Sequence, residues 1–135
     1  MKEVLQYRSC DLELEWSSAE ETKNLPTIPK EWRYIELSKL GDLGRGKSKH
    51  RPRNDPKLFE DGKYPFLQTS EVKAAKQYIT EFSKLYGEFG LQQSKLWPKC
   101  TLCITIAANI AETAFLGIDA CFPDSVVGFT PYENI

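Results

Sequence analysis

A basic segment near the middle of the chain is the part of the sequence with the clearest chemical potential. Between Gly44 and Lys57 the chain carries one acidic residue, Asp55, and six basic residues, which are Arg45, Lys47, Lys49, Arg51, Arg53 and Lys57. The whole chain has a net charge of −1, so this positive charge is local. Crowded cations repel one another unless an anion is near, so the segment predicts an anionic partner such as nucleic-acid phosphates.

Side chains that can recognise bases occur in this segment and later in the chain. Arginine can donate two hydrogen bonds to a guanine edge, and asparagine or glutamine can pair similarly with adenine. The candidate DNA-contacting residues are Arg45, Lys47, Ser48, Lys49, His50, Arg51, Arg53, Asn54, Gln68, Thr69, Ser70, Gln93, Lys95 and Asn109. The alternatives are structural: a solvated charge run in the basic segment, polar turns at 68–70 and 109, and helix capping at 92–95.

Catalysis and metal binding have weak support in the sequence. His50 is the single histidine and has no evident acidic or nucleophilic partner nearby in sequence, so a DNA contact or simple exposure is expected. Cys100 and Cys103 form a Cys-x-x-Cys pair, but zinc needs about four ligands and no second pair exists. We therefore expect buried thiols, no metal site and no catalytic residue.

One motif match suggests a nucleotide-binding alternative. Residues 41–48 fit the phosphate-binding pattern G-x-x-x-x-G-K-[ST]. That loop requires a helix starting at its lysine, but Pro52 and Pro56 would fall in the first turns of this helix, where Pro52 alone would cost roughly 3 kcal/mol. The motif therefore remains an alternative rather than the favoured interpretation.

The surrounding pattern predicts an α+β domain with a twisted, mostly antiparallel sheet and a few short helices. Strands are expected at 32–37, 64–69, 100–107, 114–122 and 125–130, with glycines 41, 44 and 46 ending the first and a loop at 47–56. Short helical turns are expected between 72 and 97, with Leu85 and Phe89 on one helical face. No apolar stretch could span a bilayer and no secretory signal is evident, which predicts a cytoplasmic protein without membrane contact.

The order of these segments resembles the specificity subunit of type I restriction-modification enzymes, HsdS. The resemblance is carried by Leu25-Pro26, Trp32, and the segments 37–42 (LSKLGD), 46–54 (GKSKHRPRN), 64–72 (YPFLQTSEV), 93–98 (QSKLWP), 101–111 (TLCITIAANIA) and 120–129 (ACFPDSVVGF). It covers roughly residues 25–131, and the combined order is more specific than any one piece. It implies a target recognition domain at 25–135, truncated relative to the family pattern. The polar, acidic composition of residues 1–24 predicts a separate N-terminal arm, which the resemblance does not cover.

The resemblance implies a non-catalytic component that recognises double-stranded DNA for methyltransferase and restriction subunits. In this family S-adenosylmethionine, ATP and magnesium belong to those partner subunits, so no cofactor is expected on this chain. A protein-interaction module is a further alternative, because the arm carries a net charge of −3 and the segment 44–57 a net charge of +5.

Overall fold

The computed structural model describes residues 2–5 and 15–133, and the chain divides into two compact units. The first unit lies within residues 1–42 and 131–135, and the second comprises residues 43–130. Part of the predicted acidic arm, residue 1 and residues 6–14 with Cys10, lies outside the described residues. The predicted boundary at residue 24 stays a prediction.

The elements follow one another as short strands with three one- to two-turn helices among the described residues. In chain order they are β1 (Lys2–Leu5), α1 (Ala19–Thr22), β2 (Arg33–Glu36), β3 (Gly41–Arg45), β4 (Tyr64–Phe66), α2 (Thr69–Ala74), β5 (Tyr78–Ile79), β6 (Lys84–Tyr86), α3 (Glu88–Gln92), β7 (Leu102–Thr105), β8 (Thr113–Leu116) and β9 (Val126–Pro131). Two 3₁₀ turns, Leu37–Lys39 and Pro56–Phe59, complete the set.

In the first unit, β1 pairs antiparallel with β2. Helix α1 begins with a capping box: the Ser18 hydroxyl accepts from the Glu21 amide at 3.3 Å, and the Glu21 carboxylate accepts from the Ser18 amide at 2.7 Å. This reciprocal pair satisfies amides that have no partner within the helix, which explains why so short a helix starts here.

The second unit is built on a five-stranded sheet in the order β3-β9-β7-β8-β5. Strand β7 pairs antiparallel with β8 and β9, whereas β5 runs parallel to β8. A separate antiparallel pair joins β4 to β6. The α+β class with a mostly antiparallel sheet, predicted from the sequence, is confirmed.

The core beneath the sheet is dominated by two stacked aromatic rings. The centroids of Trp97 and Phe122 lie 5.1 Å apart, and both side chains are buried. A Cβ atom on Gly128 would lie 2.7 Å from Phe122 and 3.0 Å from Trp97, so the rings leave no room for a side chain there. Cys103, the cross-strand partner of Gly128, is correspondingly small and completely buried.

This crowding decides which face of β7 is buried. Burial alternates along the strand: Cys103 and Thr105 are buried, while the larger Leu102 and Ile104 are only half-buried. Small side chains occupy the inner face because the aromatic rings already fill the space below the sheet.

Three local predictions are wrong. The glycines at 41 and 44 do not end a strand but lie within β3. Leu85 belongs to β6 and Phe89 to α3, so they share no helical face. Thr69 begins a helix rather than ending a strand. Pairing with distant strands, which has no local signature, decides the first two conformations, whereas hydrogen bonding between Gln68 and Glu71 starts the helix at Thr69.

The remaining strand and loop predictions agree with the structure in position. Strands β2, β4 and β7 lie within the predicted ranges, β8 and β9 overlap theirs, and residues 46–55 contain neither helix nor strand. Along the described residues, no helix is long and apolar enough to cross a membrane.

Candidate nucleic-acid interface

A polar cleft in the second unit, with a volume of about 260 Å³, is lined by four separate stretches of chain. We call it the polar cleft; its lining residues are Ser48, Arg53, Asn54, Phe66, Gln68, Thr69, Lys84, Tyr86, Pro123 and Ser125. Its polar groups are two amides, three aliphatic hydroxyls, a phenol and two cations. These are donors and acceptors for base edges and donors for phosphates.

The basic segment reaches the cleft because Gly46 allows a very close approach of two backbones. Its amide donates to the Val126 carbonyl at 2.8 Å, and the Lys47 amide donates to the Phe122 carbonyl at 3.0 Å. A Cβ atom at position 46 would lie only 2.3 Å from the carbonyl oxygens of Phe122 and Pro123. Only glycine fits this contact.

The three arginines of the basic segment differ in role. Arg45 donates from Nε and Nη2 to the Asp124 carbonyl at 3.1 and 3.0 Å, and Arg51 donates from Nη1 to the Ser48 carbonyl at 2.6 Å. Arg53 lines the polar cleft, with Nη2 3.5 Å from the Asp124 carboxylate. Two of the predicted DNA-contacting arginines therefore brace the backbone, and the third lies at the cleft.

The lysines of the segment are exposed. Lys47, Lys49 and Lys57 form no ion pair within the described part of the chain. The Lys49 amide donates to the Gln93 carbonyl at 3.2 Å, which holds the segment against the end of α3. Their ammonium groups are consequently free to meet an external anion.

The expectation that His50 lacks an acidic partner is wrong. His50 Nε2 lies 2.7 Å from Asp55 Oδ2, and its ring packs edge-on against Phe89 with centroids 5.0 Å apart. The hydrogen bond from His50, together with that from the Lys57 amide, lowers the pKa of Asp55. Both side chains are about one-fifth to one-quarter exposed, so His50 fixes the shape of the loop.

The wall opposite the basic segment comes from the start of α2. Gln68 caps the N-terminus of this helix, and its backbone amide donates to the Glu71 carboxylate at 3.0 Å. Gln68 and Thr69 are half-buried and both line the polar cleft. The predicted strand at 64–69 ends at Phe66, so both residues lie beyond the strand, at the start of the helix.

Lys84, Tyr86 and Ser125 line the cleft but are absent from the sequence-based candidates. Tyr86 stacks on Phe66 with centroids 4.2 Å apart, and its hydroxyl lies 3.5 Å from the Ser48 hydroxyl. Burial raises the Tyr86 pKa, so the phenol stays neutral and can donate a hydrogen bond. Strand β6 brings Lys84 and Tyr86 here by pairing with β4, a contact with no signal in the local sequence.

Four other predicted contacts lie outside the polar cleft. The Ser70 hydroxyl donates to Glu71 at 2.8 Å, and Lys95 Nζ lies 3.9 Å from the ring centroid of Trp97. Gln93 follows α3 as its C-terminal capping residue, and its carbonyl accepts from the Lys49 amide of the basic segment. Asn109 accepts from Lys73 at 3.3 Å. Their predicted contact with DNA stays a prediction.

The structure argues against the nucleotide-binding alternative. Residues 41–45 form a strand, and no helix follows Lys47 before the 3₁₀ turn at Pro56. The backbone amide of Lys47 donates to the Phe122 carbonyl, so it is not available to bind a phosphate. The defining strand-loop-helix geometry of such a site is therefore missing.

The cysteines do not form a metal centre in the described residues, where no group of three metal-ligating side chains is found. Cys103 and Cys121 are buried, and burial raises their pKa values to about 12 and about 11. Cys100 is exposed, so the expectation that all these thiols are buried is wrong for it. Its position before β7, with φ 75°, places it in a turn at the surface.

Comparison with known protein families identifies the family of this chain. The family described as the type I restriction modification DNA specificity domain matches residues 29–135. The chain belongs to that family. The matched range includes the whole second unit and therefore every residue of the polar cleft. The resemblance stated from the sequence alone is confirmed.

Solved structures share the fold of this specificity domain. An HsdS subunit from Thermoanaerobacter tengcongensis matches with a TM-score of 0.60 and 18% identity, covering 83% of this chain and 26% of that one. A structure concerned with complex assembly and conformational transition of the type I R-M system matches with a TM-score of 0.61 and 17% identity, with the same coverage. The chain thus spans about a quarter of the length of these proteins.

Proposed function

We propose that this chain recognises a DNA sequence for a type I restriction-modification enzyme, using the polar cleft and the exposed lysines beside it. One observation carries the proposal. Four separate stretches of a family member place amides, hydroxyls and two cations in a single cleft, next to a loop with unpaired lysines. Mixed donors and acceptors beside an excess of positive charge are typical of interfaces that read base edges and hold phosphates.

The cleft and the lysines have different tasks in this proposal. Asn54 and Gln68 can each form two hydrogen bonds with an adenine edge, and Arg53 can do so with guanine. Lys47 and Lys49 neutralise phosphates, which supplies affinity without sequence preference. Arg45 and Arg51, which are bonded to backbone carbonyls, position the segment instead of touching DNA.

The chain acts in this proposal without catalysis of its own. It directs methyltransferase and restriction subunits to a DNA site, and S-adenosylmethionine, ATP and magnesium are bound by those partners. Support comes from the family match and from the cleft itself, which holds no carboxylate or histidine that could act as a general base.

The salt dependence of DNA binding tests the proposal. Fluorescence anisotropy with mixed-sequence duplex DNA should give a log affinity that falls linearly with log salt. Lys47→Ala/Lys49→Ala should flatten the slope by about 1.8, because each lost phosphate contact removes about 0.9. Lys99→Ala is the matched control. Lys99 is exposed, lies just before β7 at the opposite end of that strand from Thr105, and does not line the polar cleft, so its replacement should leave the slope unchanged.

Two results would contradict the proposal. One is no binding of any duplex by the wild-type chain at low salt. The other is an equal change of slope in Lys99→Ala and in the double variant, which would mean that the basic segment has no special part in binding.

A further inference from the structure

The loop at 106–112, which links β7 to β8, has a fixed conformation built around Thr105. The Thr105 carbonyl accepts from the Ala111 amide at 2.8 Å, and its hydroxyl accepts from the Glu112 amide at 3.0 Å. The same hydroxyl also donates to the Asn109 carbonyl. Ala108 and Ala111 have φ values of 60° and 66°, a left-handed conformation that is unfavourable for residues with a Cβ atom.

This fixed loop presents an apolar side chain to solvent. Ile110 is 74% exposed, the largest value among the exposed large apolar side chains of the described residues, and Ile106 is 38% exposed. Ala107 and Ala108 between them are exposed as well. A single exposed isoleucine would need no explanation, but an ordered loop whose outer side chains are mostly apolar is suited to contact another molecule.

The loop is hydrogen-bonded to two segments that contribute residues to the polar cleft. The Ile106 amide donates to the carbonyl of Ser125, a residue that lines the cleft, at 2.9 Å. Lys73 of α2 donates to the side chain of Asn109 at 3.3 Å, and α2 begins with Thr69, another lining residue. A duplex that enters the cleft would therefore pass close to the loop.

We propose that Ile110 contacts the 5-methyl group of a thymine in the major groove, beside the base pair read in the cleft. This inference rests on the proposed function. The thymine methyl is the apolar group that base pairs present in the major groove, and aliphatic side chains meet it by simple packing. Because Asn54 and Gln68 suit adenine, an apolar contact next to them would strengthen the preference for an A·T pair.

The test separates the methyl group from the rest of the base. Duplexes with a randomised core are selected on the wild-type chain, and each thymine of the recovered sequence is then replaced by uracil, which lacks only that methyl group. Uracil at one position should weaken wild-type binding about three- to five-fold, the effect expected for one buried methyl. Ile110→Ala should bind the thymine and uracil duplexes equally.

A matched control is Tyr78→Ala, which removes an apolar side chain of β5 that is 53% exposed and lies outside the polar cleft. It should keep the wild-type preference for thymine. Thermal unfolding of each variant shows that it is folded.

The outcomes distinguish this inference from the proposed function. If the wild type binds the selected duplex but no uracil substitution weakens it, or if Ile110→Ala loses as much as the wild type, Ile110 does not read a methyl group while DNA recognition stands. If the wild type recovers no duplex from the library, the proposed function fails and the inference fails with it. If Ile110→Ala loses the thymine preference but Tyr78→Ala does too, the effect is not specific to the loop and the inference is overturned.

Discussion

Two clefts of similar kind border helix α2 and differ in charge. The polar cleft takes Thr69 from the helix and contains Arg53 and Lys84. The second, which we call the acidic cleft, is larger, at about 410 Å³, and is lined by Ser70, Glu71, Ala74, Ala75, Tyr78, Ile79, Thr80, Glu81 and Ser83. Volume alone would favour the acidic cleft, but its charged residues are carboxylates, which repel DNA phosphates. Charge, not size, separates the two.

The acidic cleft also keeps its charge for a structural reason. Burial by itself would raise the pKa of Glu71, but hydrogen bonds from the Ser70 hydroxyl, the Gln68 amide and the Ser83 hydroxyl outweigh it and lower the pKa. The ionised carboxylate caps α2 and fixes Gln68 at the polar cleft. Glu71, which lines the acidic cleft, therefore holds Gln68 in place at the polar cleft.

Reversing the charge of the polar cleft should have the largest effect on DNA affinity. Arg53→Glu/Lys84→Glu places two carboxylates in the polar cleft and should weaken binding of mixed-sequence duplex DNA roughly 100-fold or more, since each charge-assisted hydrogen bond contributes about 1.5–3 kcal/mol. The measurement is anisotropy at fixed salt. Glu81→Lys, which adds positive charge to the acidic cleft, should not weaken binding. Equal losses in both variants would show that the polar cleft is not the DNA surface.

A pair of glycine substitutions tests, through protein stability, whether Gly46 holds the basic segment at the polar cleft. Gly46→Ala forces a Cβ atom to within 2.3 Å of two backbone oxygens and should destabilise the fold by about 1–3 kcal/mol, the usual cost of overpacking. Gly44→Ala meets Trp97 at 3.5 Å, an ordinary contact, and should be much milder. Denaturant unfolding measures both. Equal destabilisation would mean that the close approach at Gly46 does not hold the basic segment at the cleft.

The sequence predicts the parts of this interface whose signals are local. Prolines and clustered charge mark the basic segment as a loop, and alternation marks β7 as a strand. Tyr86 and Lys84 could not be predicted, because a three-residue strand has too few positions to show a period and joins the cleft only by pairing with β4. The role of Asp55 has a local signal in the sequence, because an acidic residue directly before a proline is typical of a residue that caps a helix. A carboxylate held at that position lies close enough to pair with His50.

The most delicate test uses neighbouring residues that the sequence treats alike. Thr69 and Ser70 both carry hydroxyls at the start of α2, but Thr69 lines the polar cleft, whereas Ser70 lines the acidic cleft and donates to Glu71. Thr69→Ala should weaken DNA binding about two- to ten-fold, the effect of one hydrogen bond of 0.5–1.5 kcal/mol. Ser70→Ala should leave affinity unchanged. The opposite ranking in anisotropy titrations would mean that DNA lies on the acidic side of the helix, and that local charge does not choose between the two clefts.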